Sequence, residues 1–313
     1  MLVFKKNYFM FYGTHFPKTG GTSLLSAFRQ IHGPEKILSI GRGSYNLKNL
    51  PLIKLLYKTN SNINNFQFVS GHHNNFSTLS FWEQPESVLP TTFLLNRDPL
   101  ETFWSSFYQS TIEGKQTISP EDHLDRRGHS PSATWHEKKY APLTGDNKQA
   151  TWEEIFKATK YLIFTKNIST QIPLIHPDIK EILQNPRRVR KNITKDFQPH
   201  PLQESDDFNR KVKEHLSRDY EFIRQQQIHT AEGDLPSCTL YEESYLKDSL
   251  INMQKRLPKS TVASKYASNF ETNLIKKIQS LEDAKAKKMF ERIDQIFESI
   301  NASVPERLLE LIR

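Results

Sequence analysis

The chain has a single cysteine, Cys238, in 313 residues. One thiol cannot form an intramolecular disulfide, and a zinc site would have to be built from histidine and carboxylate ligands instead. Long apolar runs are missing too. The run near the N-terminus, Tyr8 to Tyr12, is too short for a signal-peptide core or a membrane span. The sequence therefore predicts a cytoplasmic protein with no transmembrane segment, and it shows no internal repeat or low-complexity tract.

Hydrophobic residues make up 36% and charged residues 25% of the chain, as in a soluble globular protein, and 20 Phe and 11 Tyr supply core material. The net charge of +8 favours anionic ligands. It leaves nucleic acid, acidic glycan and nucleotide cofactor open. Basic residues are dispersed except in "NPRRVRKNITK" at 185–195, which is typical of a solvated loop. Without aromatics interleaved among clustered cations, we expect no nucleic-acid partner.

In the first half of the chain, short apolar segments alternate with amphipathic ones, which predicts an α/β fold with a mostly parallel sheet flanked by helices. A helix is predicted from Thr22 to Ile31, and a second one begins in "RDPLETFWSSFY", where Asp98 can act as the cap. The predicted strands are Tyr8 to Thr14, Gln67 to Ser70, Thr92 to Asn96 and Tyr161 to Thr165.

Residues 111–150 show no apolar period and many turn formers, so we predict a long lid or insertion there. The second half is predicted to be helical, at Asp206 to about Gln227, Tyr245 to Leu257 and Leu281 to Ile300. We therefore expect an α/β domain over 1–230 that includes the lid. Residues 231–313 form a helical C-terminal portion, either part of the same domain or an extension.

The stretch "HFPKTGGTSLL" at 15–25 follows a predicted strand and opens a helix, so its backbone N–H groups predict an anion site. Its lysine precedes the glycines, unlike the Gly-Lys-Ser/Thr ending of the nucleotide-binding P-loop. Gly20 and Gly21 permit close approach of a ligand, Thr22 and Ser23 add hydroxyls, and Lys18 adds a positive charge. The alternative is a tight turn with a capping threonine.

The heptapeptide "PKTGGTS" resembles the 5′-phosphosulfate loop of sulfotransferases that use 3′-phosphoadenosine 5′-phosphosulfate (PAPS), and with the preceding His it is most similar to the carbohydrate-type branch. In "LLNRDPLETFWSSFY", Arg97 and Ser105 have the spacing of the family's 3′-phosphate site. Thr102 departs from the second Arg that many relatives carry. The resemblance implies a P-loop-like sheet, no metal requirement, and cofactor binding by Lys18, Thr19, Gly20, Gly21, Thr22, Ser23, Arg97 and Ser105.

Alternatives stay open for the second motif. Arg97 could form a surface ion pair with Asp98 or Glu101, and Ser106 adjoins Ser105 and could replace it. The segment "LSRDYEFIRQQ" looks like the closing helix of these domains, with its Asp-Tyr pair. The part beyond it resembles the family less, although Lys265 could reach the cofactor.

The catalytic base that the resemblance implies is His72, at the Gly-His that ends the strand in "FQFVSGHHNNF". A histidine has a reference pKa of about 6.5 and accepts a proton near neutral pH. Lys18 would neutralise charge on the leaving group. Two alternatives for His72 remain: it is a structural histidine, or His73 or a carboxylate is the base. In the predicted lid, an acidic acceptor could be bound by His123, Arg126, Arg127, His129, His136, Lys138 and Lys139.

The resemblance favours a hydroxyl acceptor on a carbohydrate or glycan, with a small molecule or lipid as the alternative. Three rival functions are an atypical nucleotide kinase-like phosphotransferase, a non-enzymatic binding module, and a degenerate sulfotransferase that binds the cofactor without turnover. Oligomerisation through the C-terminal helices is possible. Family resemblance alone cannot select the acceptor.

Overall fold

The computed structural model describes residues 10–40, 50–57, 63–72, 75–83, 88–112, 118–127, 131–145, 149–183, 199–226 and 237–311. It contains five strands: β1 Phe11–His15, β2 Ile37–Ser39, β3 Phe68–Gly71, β4 Thr91–Asn96 and β5 Tyr161–Phe164. The helices before the C-terminal part are α1 Gly21–His32, α2 Leu50–Tyr57, α3 Pro99–Ile112, α4 Pro120–Arg127, α5 Pro131–Tyr140, α6 Trp152–Lys157, α7 Ile168–Ile175, α8 Lys180–Leu183, α9 Asp206–His215 and α10 Ser217–Gln225. The last four are α11 Glu243–Arg256, α12 Lys259–Gln279, α13 Asp283–Ser299 and α14 Glu306–Leu309.

All five strands are parallel, in the order β2-β3-β1-β4-β5. This confirms the predicted α/β class with a parallel sheet flanked by helices. The prediction missed β2, which has only three residues and so no readable period. It also placed Met10 in β1 and ended that strand one residue before His15, while Tyr8 and Phe9 lie outside the described residues.

Successive residues of each strand point to opposite sides of the sheet, and residues on both sides are buried in apolar clusters. Both faces of the sheet are therefore covered. Phe11 of β1 packs in the cluster that contains Leu24 and Phe28 of α1. Its neighbour Tyr12 belongs to the cluster on the other face. The remaining strands alternate in the same way, with Phe68, Phe93 and Ile163 on the α1 side and Val69, Leu94 and Leu162 on the other.

The four C-terminal helices share the apolar cluster on the second face of the sheet. Residues from all four helices are fully or nearly fully buried in this cluster, including Leu250, Phe270, Phe297 and Leu308. The helical character of this portion is therefore confirmed. The 21-residue α12 was not predicted as a helix, although its apolar residues recur every fourth position, which is the spacing of one helix face: Val262, Tyr266, Phe270, Leu274 and Ile278.

The segment 111–150 is more structured than the sequence predicted. It contains α4 and α5, and Leu124, Tyr140 and Leu143 in it are buried. The buried stripe of α5 includes His136 and Glu137 between Ala133 and Tyr140, so it is invisible to a hydrophobic period. Likewise, the single helix predicted from Asp206 is two helices that meet at Leu216.

In the described part of the chain, none of the helices combines the length and the apolar character that crossing a membrane requires.

Candidate functional site

Three predicted site residues follow three adjacent parallel strands. Lys18 lies just after β1, His72 directly after β3, and Arg97 directly after β4. The carboxyl ends of parallel strands meet at one edge of the sheet. The strands β2 and β3 lie on one side of β1, and β4 and β5 lie on its other side, so the strand order reverses next to β1. Open α/β sheets bind ligands at the carboxyl ends of the strands beside such a reversal.

The loop between β1 and α1 has an unusual backbone. Lys18 adopts a φ of 74° and Gly20 a φ of 86°, both in the left-handed region. A left-handed lysine is uncommon, and such strain is concentrated at functional sites. Gly20 is the N-cap of α1, and no side chain caps this end. The first-turn N–H groups of Gly21 and Thr22 have no acceptor within the helix, so they are donors for an anion.

Two of the predicted ligand donors instead hold the loop itself. The Thr19 hydroxyl donates to the Phe16 carbonyl at 2.7 Å, and its side chain is buried. The Ser23 N–H donates to Gly20 O at 3.1 Å. The Thr19 N–H also donates to the Phe16 carbonyl, at 3.3 Å, so the N–H groups of Thr19 and Ser23 are used within the loop. The alternative of a tight turn with a capping threonine fails in its cap, because the N-cap of α1 is Gly20 and no side chain caps this end.

Arg97 is tied to this loop. Its Nη1 donates to the carbonyl oxygen of Lys18 at 3.2 Å, while its Nε forms an ion pair with Glu101 at 3.1 Å. The surface ion pair that was an alternative to phosphate binding therefore exists, and it coexists with the loop contact. A guanidinium has five N–H donors, of which these contacts use two.

Helix α3, which carries Ser105, begins as predicted. Asp98 accepts a hydrogen bond from the Glu101 N–H at 3.1 Å and so caps the helix. Ser105 and Ser106 are half-buried. Ser105 is one turn beyond Glu101 and on the same helix face, the face directed to Arg97. Thr102 is buried and donates its hydroxyl to Asp98 O, so it does not substitute for an arginine.

His72 is half-buried, and its Nδ1 lies 3.4 Å from the carbonyl oxygen of His15. Since a carbonyl only accepts, this contact favours the tautomer with the proton on Nδ1, whose basic lone pair is on Nε2. The two imidazole rings meet edge to face with centroids 4.5 Å apart. His73, the other candidate for the base, lies outside the described residues.

Two neutral histidines lie behind the site. Burial lowers the pKa of His15 well below its ordinary value, with smaller contributions from His72 and His136. Burial, followed by the charge of Lys139, lowers the pKa of His136 to about 3. Neither ring nitrogen of His136 has a hydrogen-bond partner among the described residues. Both imidazoles are therefore uncharged at neutral pH.

Helix α5 flanks the loop. Trp135 packs edge to face on Phe16, with ring centroids 6.1 Å apart, and the Nζ of Lys139 lies 5.0 Å from the Trp135 centroid. Burial lowers the pKa of Lys139 to about 8. Of the other predicted lid cations, His123 and His136 are buried, whereas Arg126 and Lys138 are exposed. His129 and the side chain of Arg127 lie outside the described residues.

Several residues that support the site were not predicted. The Thr165 hydroxyl lies 2.7 Å from Thr19 O and 2.9 Å from Asn96 O, so it joins the loop to the end of β4. Buried Asp219 accepts from the Ser132 and Ala133 N–H groups and holds the start of α5. Such long-range partners leave no local pattern in the sequence.

Tyr220 belongs to the Asp-Tyr pair of the predicted closing helix, and its hydroxyl contacts the start of α3. Its hydroxyl lies 3.3 Å from the Asp98 carboxylate and accepts from the Leu100 N–H at 3.2 Å. Burial, followed by the negative charge of Asp98, raises the pKa of this phenol. Tyr220 thereby fixes the start of α3 beside Arg97. Lys265 is an exposed residue of α12.

In the ranges that the structure describes, no group of three or more His, Cys, Asp or Glu is arranged to hold a metal ion. Comparison of the chain with protein-family models, with curated proteins and with solved structures gives no match.

Proposed function

We propose that the chain is a PAPS-dependent sulfotransferase. The observation that supports it best is the convergence of Lys18, Arg97 and His72 at the carboxyl ends of β1, β4 and β3, around the uncapped start of α1. Phosphate binding needs cations and oriented N–H groups, and transfer to a hydroxyl needs a base. The strand order and the loop after β1 are also compatible with the P-loop-like sheet of our sequence-based hypothesis.

The residues fit the two phosphate groups of PAPS. The N–H groups of Gly21 and Thr22, together with Lys18, form the proposed 5′-phosphosulfate site. Arg97 and Ser105 form the proposed 3′-phosphate site. A planar guanidinium suits phosphate oxygens, and its contact with Lys18 O holds it next to the loop. Glu101 opposes this role, because its carboxylate is bound to Arg97 and repels an anion.

PAPS supplies an activated sulfuryl group. In the proposed reaction the acceptor oxygen forms a bond to sulfur, the bond from sulfur to the phosphate oxygen breaks, and the acceptor proton passes to Nε2 of His72. Lys18 neutralises the charge that grows on the departing phosphate. The contribution of the protein is positioning and charge stabilisation, as in phosphoryl transfer.

For the acceptor, we propose a hydroxyl of a carbohydrate or glycan, with a small molecule or a lipid as the alternative. Trp135 and Lys139 border the loop and present an aromatic face and a cation near the proposed transfer site. Aromatic faces pack well on sugar rings, but also on other flat or apolar groups. An oligomer through the C-terminal helices and a cytoplasmic location also remain proposals.

The test is transfer of labelled sulfate from PAPS to separate panels of oligosaccharides, phenols and hydroxylated lipids. Product on one panel identifies the acceptor class. The same assay with labelled ATP tests the rival phosphotransferase function. Labelled product from ATP and none from PAPS would overturn the proposal in favour of the rival.

A further inference from the structure

His15 was predicted to follow the first strand, and no role was predicted for its side chain. It is the last residue of β1, and its side chain is 6% exposed. Its Nδ1 lies 3.0 Å from the hydroxyl of Ser70, a buried residue of the adjacent β3. This side-chain contact links the strand that leads to the phosphate loop with the strand that leads to His72.

The same imidazole also contacts the start of α1. A Cβ atom added to Gly21 would lie 2.0 Å from Nε2 of His15, so the ring is packed directly against the backbone of the first helical residue. This close approach explains why a glycine stands at position 21. The first turn of α1 therefore rests on the His15 ring.

A third contact joins His15 to the proposed base. The ring of His72 lies edge to face against the His15 ring at 4.5 Å, and the His15 carbonyl is the acceptor near His72 Nδ1. Ring contact and carbonyl together restrict both the rotamer and the tautomer of His72. A neutral His15 is required for this arrangement, since a charged ring would be buried without a counter-ion.

We propose that His15 is a positioning residue for the transfer reaction, which holds His72 and the first turn of α1 in a fixed relation through its contacts with Ser70, Gly21 and the His72 ring. This inference rests on the proposed function, because it assigns His15 to the same site. His15 itself need not touch either substrate. Its role is to keep the base and the phosphate-binding N–H groups aligned, which catalysis requires to within a fraction of an ångström.

The experiment uses the ¹⁵N chemical shifts of His72, which report the tautomer of its ring, in the full-length protein. In the wild type we expect one fixed tautomer with the proton on Nδ1. His15→Leu keeps the backbone carbonyl but removes the ring that restrains the His72 rotamer. The freed His72 ring should leave that carbonyl part of the time, so we expect averaged shifts from two tautomers. His15→Phe, which keeps an aromatic ring against His72, should recover most of the wild-type signature. Wild-type shifts for His72 in His15→Leu would overturn the proposal.

A control variant distinguishes positioning of His72 by His15 from a general loss of stability. Leu274→Ala removes a fully buried side chain in α12 and lowers stability without touching the site. We expect the His72 shifts of this variant to be those of the wild type, and averaged shifts in it would contradict the proposal. If the wild type binds no 3′-phosphoadenosine 5′-phosphate, the proposed function fails, whereas the ¹⁵N result still decides whether His15 fixes His72.

Once an acceptor is known, kinetics give a second readout. His15→Leu should lower kcat by about 10- to 100-fold, the range expected for a misplaced reacting group, with a smaller change in the KM for PAPS. Ser70→Ala should change kcat in the same direction. The decrease in kcat for the double variant should be no larger than that for His15→Leu alone, because the two substitutions remove the same contact between His15 and Ser70. Additive losses would contradict this coupling.

Discussion

The Nη1 atom of Arg97 lies 3.2 Å from the carbonyl oxygen of Lys18, so the arginine that follows β4 is tied to the loop that follows β1. Two motifs separated by almost eighty residues are thereby in direct contact. The same guanidinium binds Glu101 on its other side. Arg97 is thus held between a backbone carbonyl and a carboxylate. In the proposed function, a phosphate would have to compete with Glu101 for it.

Replacing Glu101 with Gln should raise the affinity for 3′-phosphoadenosine 5′-phosphate. The substitution removes a negative charge from the partner of Arg97, and partly exposed charges of this kind contribute up to about 1 kcal/mol, or about fivefold in affinity. Calorimetric titration measures the change. Glu291→Gln, at an exposed position of α13, alters the net charge equally and is the matched control. Equal affinities for both variants would argue against a phosphate at Arg97.

Gly21→Ala should destabilise the protein and weaken binding at the loop. The new methyl group would overlap the His15 ring, and overpacking of this kind costs about 1–3 kcal/mol. Urea unfolding measures the loss. Ser26→Ala, in the same helix at a half-buried position, should change stability by less than about 0.5 kcal/mol. Combining Gly21→Ala with His15→Ala should cost less than the sum of the two single changes.

His72→Ala should lower turnover by about 10²- to 10⁴-fold, the usual contribution of a general base, while the affinity for the cofactor product changes little. His215→Ala is the control, since His215 is also half-buried but lies in α9, away from the site. The measurements are sulfate transfer under saturating PAPS and a binding titration. Unchanged turnover in His72→Ala would remove this residue from the mechanism.

Stability should fall in mild acid because His15 and His136 are buried without charge. The folded-state pKa of His136 is lowered to about 3, whereas an unfolded histidine titrates near 6.5. Below pH of about 6.5 the unfolded state therefore binds protons that the folded state cannot, and stability decreases as the pH falls.

His136→Leu removes one of these two groups. Between pH 7 and 5.5, its unfolding free energy should decrease by about 1 kcal/mol less than that of the wild type. Urea denaturation at the two pH values gives the comparison. An identical decrease in both proteins would mean that His136 is protonated in the folded state or has no part in the acid sensitivity.

The sequence predicted the parts of the fold that have a clear local pattern. The buried strands β3, β4 and β5 are apolar runs between turn signals, and Asp98-Pro99 is typical of the start of a helix such as α3. The positions of these elements were therefore predicted to within a few residues. The helix α5 was missed because His136 and Glu137 occupy buried positions that a hydrophobic pattern assigns to solvent.

Only those features of the candidate site that have a local sequence pattern could be predicted. The motifs and the family resemblance predicted Lys18, Arg97 and His72 as site residues, and each of them follows one of three adjacent strands. The contacts that orient them come from residues distant in the chain, such as Thr165 and Tyr220, and no local period encodes a pairing over that distance. The inward turn of Thr19 was also unpredictable, since a threonine before two glycines suits a ligand contact equally well.

The most direct test of the proposed function is calorimetric titration of the protein with 3′-phosphoadenosine 5′-phosphate, beside ATP and beside Arg97→Ala. We predict clear binding of the 3′-phosphorylated nucleotide, much weaker binding of ATP, and a loss of about 10- to 100-fold in Arg97→Ala, since charge-assisted hydrogen bonds contribute about 1.5–3 kcal/mol. Absence of binding, or a preference for ATP that Arg97→Ala leaves unchanged, would contradict the account.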